Sequence, residues 1–317
     1  MSGGLRLVGD IGGTNVRFAL VTDGKRAARL RVFASDDFAT LADALEAYLA
    51  AEGVRPHVAA LSIASPVTGD SVALTNHPWS FSIAELKARL GLERLLVVND
   101  FTANALAMPH LEPGERAQVG GGNAVAAAPI AVLGPGTGLG VSGLVPGDCG
   151  WVALAGEGGH RTMPAADERE SAVLACMRRR FDHVSAERVL SGPGLVNLYH
   201  ALAELDGTPA QSYTAAQIAD RHVGEADPLV RASVDMFCAM LGTVAGDLAL
   251  TLGARGGVFI AGGIVPRLGP VFAASRFRAR FEDKGRFRDY LAAIPTFVVT
   301  CAIPAFLGLG ALLAREG

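Results

Sequence analysis

The stretch Leu5-Arg6-Leu7-Val8-Gly9-Asp10-Ile11-Gly12-Gly13-Thr14-Asn15-Val16-Arg17-Phe18-Ala19-Leu20 runs from apolar residues into a glycine turn and out again through apolar residues. The same plan returns between Ile130 and Val145, around Gly134-Pro135-Gly136-Thr137-Gly138-Leu139-Gly140. Each is a strand, glycine turn, strand unit, and each opens one half of the chain. Glycine brings backbone N–H groups close to a ligand with no Cβ in the way, and Thr14 and Thr137 add hydroxyl donors. A pair of such turns can grip a polyphosphate from both sides.

Outside these units, strand and helix signals alternate. Leu41–Ala51 and Ile83–Leu90 read as helices, and the apolar runs His57–Ala64 and Leu95–Val98 as strands, which is an α/β pattern. Glu112-Pro113-Gly114 and Gly120-Gly121-Gly122-Asn123 punctuate the chain before the second glycine-turn unit, placing a domain boundary near residue 110. The later half adds helical stretches at Glu168–Arg180, Leu195–Leu205 and Leu229–Leu252, then a strand Val258–Ala261 closing on Gly262-Gly263. A last strand, Thr296–Cys301, precedes a short helix Leu307–Arg315 that can fold back on the first domain. The expected division is a small α/β domain over 1–110, completed by about 301–317, and a large one over 111–300.

Composition narrows the function classes. Of 317 residues, 28 are basic and 31 acidic, giving a formal charge of −3, and no basic run exceeds Arg178-Arg179-Arg180. The electrostatic footprint of a nucleic-acid binder is missing, so small-molecule chemistry is favoured. Cys149, Cys176, Cys238 and Cys301 are widely spaced with no C-x-x-C pair, which fits reduced thiols in a cytoplasm and argues against zinc. The Leu5–Val8 run stops at Asp10, too short for a signal peptide. Asp235, Gly242, Gly246 and Asp247 interrupt the apolar segment Ala232–Leu252, which suits a buried helix better than a membrane span.

Two familiar nucleotide motifs are set aside. Lys25, Lys87 and Lys284 are the only lysines and none stands in a G-x-x-x-x-G-K-[S/T] frame, which excludes a P-loop. Gly138-x-Gly140-x-x-Gly143 matches the dinucleotide fingerprint, but Val141–Val145 reads as strand where that fingerprint needs a helix.

Several polar residues stand where chemistry can be done. Asp10, at the junction of strand and turn, either ties the turn together or holds Mg²⁺ directly or through water beside a phosphate. Asn99-Asp100 ends a strand and precedes the helical run Phe101–Leu106; it suits a helix cap, or a general base at the sheet edge where α/β folds place ligands. Glu157 and His160 lie in Gly156-Glu157-Gly158-Gly159-His160, a stretch too glycine-rich to be regular, and are either solvated or presented to a ligand. Glu187 passes for a surface charge or a helix-terminus residue. Thr75-Asn76-His77-Pro78-Trp79 is an ordinary turn, or polar groups and an aromatic wall against a sugar.

Taken in order, Gly9–Asn15, Thr75-Asn76-His77-x-Trp79, Asn99–Ala103, Gly136–Gly140, Gly156–His160, Ser185–Gly194 and Gly262-Gly263-Ile264 closely resemble the bacterial glucokinases. The likeness runs from about Leu5 to the last helix. It implies the two-domain actin-like ATPase (ribonuclease H-like) fold, with ATP and sugar in an interdomain active-site cleft. By resemblance Asn99, Asp100, Glu157, His160 and Glu187 bind D-glucose, with Asn76 beside them, and Asp100 is the catalytic base. Gly9, Asp10, Gly12, Gly13, Thr14, Gly136, Thr137 and Gly138 would hold the phosphates of ATP, and Gly262 and Gly263 the adenosine. Asp10 would hold Mg²⁺ through water. Cys176 lacks the cysteine partners of the zinc-bearing sugar kinases, which favours the zinc-free branch. The resemblance also implies a cytoplasmic homodimer with no nucleic-acid or membrane partner.

Overall fold

A computed structural model describes residues 4–22, 26–148, 150–220 and 225–315. They form two compact units, one running to Glu112 and completed from Cys301 onward, the other spanning Pro113–Thr300. Cys149 and Lys25 lie outside the described residues.

In the first unit, β1 (Arg6–Ile11) and β2 (Asn15–Val21) form an antiparallel pair across the first glycine turn. β3 (Ala28–Ala34) extends it, helix α1 (Leu41–Glu52) follows, and β4 (Val58–Ile63) lies parallel to β1. A small hairpin, β5 (Ser71–Ala73) with β6 (Ser80–Ser82), leads to α2 (Ile83–Arg89), β7 (Arg94–Asn99) and α3 (Asp100–Ala107). The main sheet has the order β3-β2-β1-β4-β7.

Strand alternation divides the core of this unit in two. Leu7 and Ile11 of β1 join Phe18, Leu45, Tyr48 and Leu61 on one face. Val8 joins Ala19, Ala60, Ala103, Phe306, Leu309 and Leu313 on the other. The last three belong to the helix Pro304–Arg315, which lies over that face and against α3. It starts three residues before the expected Leu307, because proline's fixed φ suits the first helical turn.

Helix α1 is entered through a capping box, the Thr40 hydroxyl accepting from Asp43 N–H while the Asp43 carboxylate accepts from Thr40 N–H. Thr40→Ala is expected to cost about 1 kcal/mol, read as a lower Tm with catalytic turnover unchanged.

In the second unit, β8 (Arg116–Val119), β9 (Ile130–Pro135), β10 (Leu139–Gly147) and β11 (Gly150–Ala155) precede helices α4 (Glu168–Arg178), α5 (Gly192–Asp206), α6 (Ala215–Ile218) and α7 (Pro228–Leu252). β12 (Val258–Ile260) and β13 (Thr296–Val299) complete a sheet of order β11-β10-β9-β12-β13-β8. β9 and β10 pair antiparallel across the second glycine turn, and β10 continues as strand through Gly143, so no dinucleotide-type helix follows.

Helix α7 is long and apolar enough to cross a membrane, yet 72% of its most apolar window is buried within the fold. Gly242 and Gly246 lie where the helix Phe277–Glu282 crosses it; a Cβ on Gly246 would stand 2.6 Å from Phe281 O. It is a core helix.

Candidate active site

The first glycine turn is closed by Gly12 N–H donating to Asn15 O at 3.0 Å and braced by Ser35, whose N–H donates to Thr14 O and whose hydroxyl donates to Gly12 O. A side chain on Gly13 would stand 2.7 Å from Asn76 O, so glycine there lets the Thr75–Trp79 segment approach the turn. Thr14 is exposed. Gly9 has a packing role as well. It lies within β1, and its missing side chain makes room for Leu61 and Phe18, whose atoms stand 2.6 and 3.0 Å from a Cβ there. Gly9 serves sheet packing.

Asp10 shares one face of the sheet with its cross-strand neighbours Arg17 and Ser62. Arg17 donates to Asp10 Oδ2 at 2.9 Å, and the Ser62 hydroxyl to Oδ1 at 2.9 Å. Sequence reading named neither partner, although the pairing of Arg17 with Asp10 follows once the hairpin register is set. A carboxylate offers about four lone-pair sites, so the engaged Asp10 retains acceptor capacity toward solvent. That fits a water on Mg²⁺ better than direct coordination, which would compete with Arg17.

Asn99 and Asp100 stand where β7 becomes α3, and the helix-cap reading of the pair is borne out there. Asn99 is the N-cap: its Oδ1 accepts from Phe101 N–H at 2.8 Å, and its Nδ2 donates to Ser65 O at 3.3 Å. Ser65 is itself fixed, with its hydroxyl 3.0 Å from that of Thr75 and accepting from Thr75 N–H at 2.7 Å. Asp100 opens the helix, with Oδ1 accepting from Phe101 N–H at 2.9 Å. Both side chains are half-buried.

In the second unit, the glycine turn is closed by Gly136 N–H donating to Gly138 O at 2.8 Å, while Gly192 N–H donates to Gly136 O and ties α5 to it. Thr137 is exposed at the tip. Gly262, at φ +84°, would place a Cβ 2.5 Å from Pro135 O, so only glycine brings the end of β12 against this turn. Gly263 precedes the helix Ile264–Leu268. Leu268 in turn lines a cavity of about 350 Å³ together with Ile218, Val234 and Val271 and the polar Arg231, Asp235 and Ser275.

The Glu157–His160 stretch is more regular than its composition suggested, with one 3-10 turn over Gly158–His160. Glycine lets it press on β10: a side chain on Gly158 would stand 2.8 Å from Val141, and one on Gly159 would overlap Leu139 O. Glu157 and His160 are exposed. The neighbouring Arg161, unnoticed in the sequence, donates to Val244 O at 3.2 Å and faces Asp247. Burial lowers its guanidinium from the ordinary value, opposed by Asp247.

Glu187 is half-buried rather than a surface charge, and accepts from Leu139 N–H at 2.8 Å. No local signal announced this, because its partner lies 48 residues away. Asn76, Asn99, Asp100 and the first turn thus belong to one unit, and Glu157, His160, Glu187, the second turn and Gly262-Gly263 to the other.

Two sheet-based units, each with a strand, glycine turn, strand hairpin and with polar residues at strand ends, are the architecture of sugar kinases on the actin-like ATPase fold. A glucokinase structure from an Antarctic psychrotroph superimposes with a TM-score of 0.90 at 38% identity, covering 98% of each chain. The family model described as Glucokinase matches residues 7–316, and the chain belongs to the glucokinase family. The Glucokinase of Paramagnetospirillum magneticum is 56% identical, covering 97% of each chain. That of Aromatoleum aromaticum is 53% identical, covering 97% of this chain and 94% of its own.

Proposed function

We propose that this enzyme transfers the γ-phosphoryl group of ATP to the 6-hydroxyl of D-glucose, giving glucose 6-phosphate and ADP. Membership of the glucokinase family over residues 7–316 carries the reading. The sites add chemical support: a carboxylate at a strand-to-helix junction, two turns with free-standing threonines, and a second carboxylate and imidazole on a glycine-framed loop.

In the proposed mechanism Asp100 accepts a hydrogen bond from the sugar 6-hydroxyl and takes its proton as that oxygen bonds to the γ-phosphorus and the bond to the ADP oxygen breaks. Asn99 holds Asp100's helix start in place and, with Glu157, His160, Glu187 and Asn76, reads the sugar hydroxyls. A substrate missing one hydroxyl leaves a partner unmatched and is penalised accordingly. The segments Gly9–Thr14 and Gly136–Gly138 receive phosphate oxygens, with the N–H groups of Gly12 and Gly136 closing the turns, and Gly262-Gly263 receives the adenosine. Asp10 would hold Mg²⁺ through water, and the ion would supply charge neutralisation at the phosphates. Positioning and charge stabilisation then account for most of the rate.

By family resemblance the enzyme is a cytoplasmic homodimer acting at the entry to glycolysis; light scattering on the purified protein tests the dimer. The decisive assay is ADP release from ATP-Mg²⁺ with and without glucose, beside mannose, fructose and N-acetylglucosamine. Strong stimulation by glucose and weak hydrolysis without sugar are expected. Stimulation by another hexose in preference to glucose would reassign the substrate, and rapid sugar-independent turnover would make the protein an ATPase.

A further inference from the structure

Arg161 follows directly on His160 and has no part in the chemistry proposed above. The loop that it closes, Gly156–His160, has glycine at three of its five positions, so its own side chains restrain it weakly. β10 supports one side of this loop, at Gly158 and Gly159. Arg161 fixes the end of it. Its N–H donates to Gly158 O and closes the 3-10 turn, and its carbonyl accepts from Ala186 N–H at 2.8 Å. Its side chain then leaves the loop and reaches the core helix α7, where Nη2 donates to Val244 O at 3.2 Å and stands 4.0 Å from Asp247 Oδ2.

The place where the guanidinium lands is itself built. Lys284 donates to Asp247 Oδ1 at 2.6 Å and to Thr243 O at 3.2 Å, the carbonyl next to the one that Arg161 uses. A Cβ on Gly246 would stand 2.8 Å from Lys284 Cε, so glycine at that position admits the lysine. Four residues earlier, Arg280 donates to the Thr243 hydroxyl at 3.1 Å and to the buried Glu170 at 3.0 Å. Arg161 and Lys284 thus face one oxygen each of the same carboxylate, on a helix surface that the core already holds. A guanidinium donating to a carbonyl makes a charge-assisted bond, stronger than a neutral one. The side chains of Arg161 and Asp247 are 35% and 32% exposed, so solvent screens their attraction only in part.

We infer that Arg161 is a positioning residue of the sugar site: its anchor on α7, through Val244 and Asp247, holds Glu157 and His160 in the arrangement that meets the sugar hydroxyls. The inference rests on the function proposed above. Without the anchor the loop is ordered only when sugar binds, and that ordering opposes binding. Contacts made alike to the bound and the reacting sugar act on KM and leave kcat in place.

The test is titration calorimetry of glucose without nucleotide, beside steady-state kinetics and thermal unfolding, on wild type, Arg161→Gln, Arg161→Lys, Asp247→Asn and the double variant Arg161→Gln with Asp247→Asn. Re-ordering two side chains on one loop is expected to weaken glucose binding about tenfold in Arg161→Gln. KM for glucose should rise to match, with kcat within about twofold of wild type and KM for ATP unchanged. Arg161→Lys keeps the charge and a donor, and is expected to recover part of the loss. Asp247→Asn is expected to weaken glucose binding about two- to threefold, and to add nothing once Arg161 is gone, because the carboxylate reaches the loop only through the guanidinium. A merely structural role predicts a lower Tm with glucose affinity as in wild type.

Glucose affinity in Arg161→Gln equal to wild type would overturn the inference, as would a loss shared equally by kcat and by KM for ATP. So would Asp247→Asn acting in full on the Arg161→Gln background. If wild type itself neither binds nor phosphorylates glucose, the proposed function falls and takes the inference with it.

Discussion

Asp100→Asn is expected to lower kcat roughly 10²- to 10⁴-fold, the span usual for loss of a general base, with the fold retained. The substitution keeps the size of the side chain and an oxygen able to accept from Phe101 N–H, as Asp100 Oδ1 does now at 2.9 Å. Asn99 continues to cap α3, and the first-turn charge that the helix loses is worth about 0.3–1 kcal/mol. The amide still hydrogen-bonds a hydroxyl, so KM for glucose changes far less than kcat. Steady-state kinetics beside thermal unfolding separate the two effects. A variant with parental kcat would remove Asp100 from the base's role, and one that lost activity only through unfolding would leave it unassigned to chemistry.

Gly308→Val is expected to destabilise the first unit by about 3 kcal/mol or more, at the upper end of overpacking costs. The helix Pro304–Arg315 crosses α3 so closely at Gly308 that even a Cβ would overlap Ala103 O, with Ala107 N 3.0 Å away. These are backbone atoms, so no side-chain rotation relieves the clash and the helices must part. Parting also tilts α3, whose first residue is Asp100, so the surviving folded fraction should show reduced kcat. Gly310 is the internal control: the nearest atom to a Cβ there is Val21 Cγ1 at 3.7 Å, so Gly310→Ala is expected to be neutral or stabilising. Urea unfolding of the three proteins decides the matter. Equal midpoints for Gly308→Val and wild type would refute the close crossing.

The elements legible in the sequence were those with one buried face or strong punctuation. β1, β2, α1, β4, β7, α3 and α7 stand within a few residues of their expected places, because apolar periodicity, Gly13 and the Asn99 cap mark them. β3 and β11 went unread for one physical reason. Both are sheet edges with little buried surface: Ala28–Ala34 is exposed at every residue but Phe33, and Val152 in β11 is 48% exposed. An edge strand with no core face shows no alternation for sequence reading to detect. The candidate site divides in the same way. Asp10, Asn99 and Asp100 could be singled out because each stands at a junction that the local sequence defines. Glu187, Arg161 and Ser65 owe their positions to contacts made across the fold. Gly9 shows the converse: embedded in a glycine-rich motif, it also fills a packing need, against Leu61 and Phe18, that the motif did not announce.

The segment Pro304–Arg315 covers Val8, Ala19 and Ala60, residues translated far earlier. At about 5–20 residues per second, a ribosome needs roughly 10–40 s to travel from Ala107 to Pro304. Throughout that interval the nascent sheet lacks the helix whose Phe306, Leu309 and Leu313 complete the cover of Val8, Ala19 and Ala60, while the intervening unit has every residue it needs to complete itself first. Synthesis therefore delivers the two halves in inverted order, the first-made being the last to fold, and leaves the newborn chain most dependent on chaperones until the helix Pro304–Arg315 emerges.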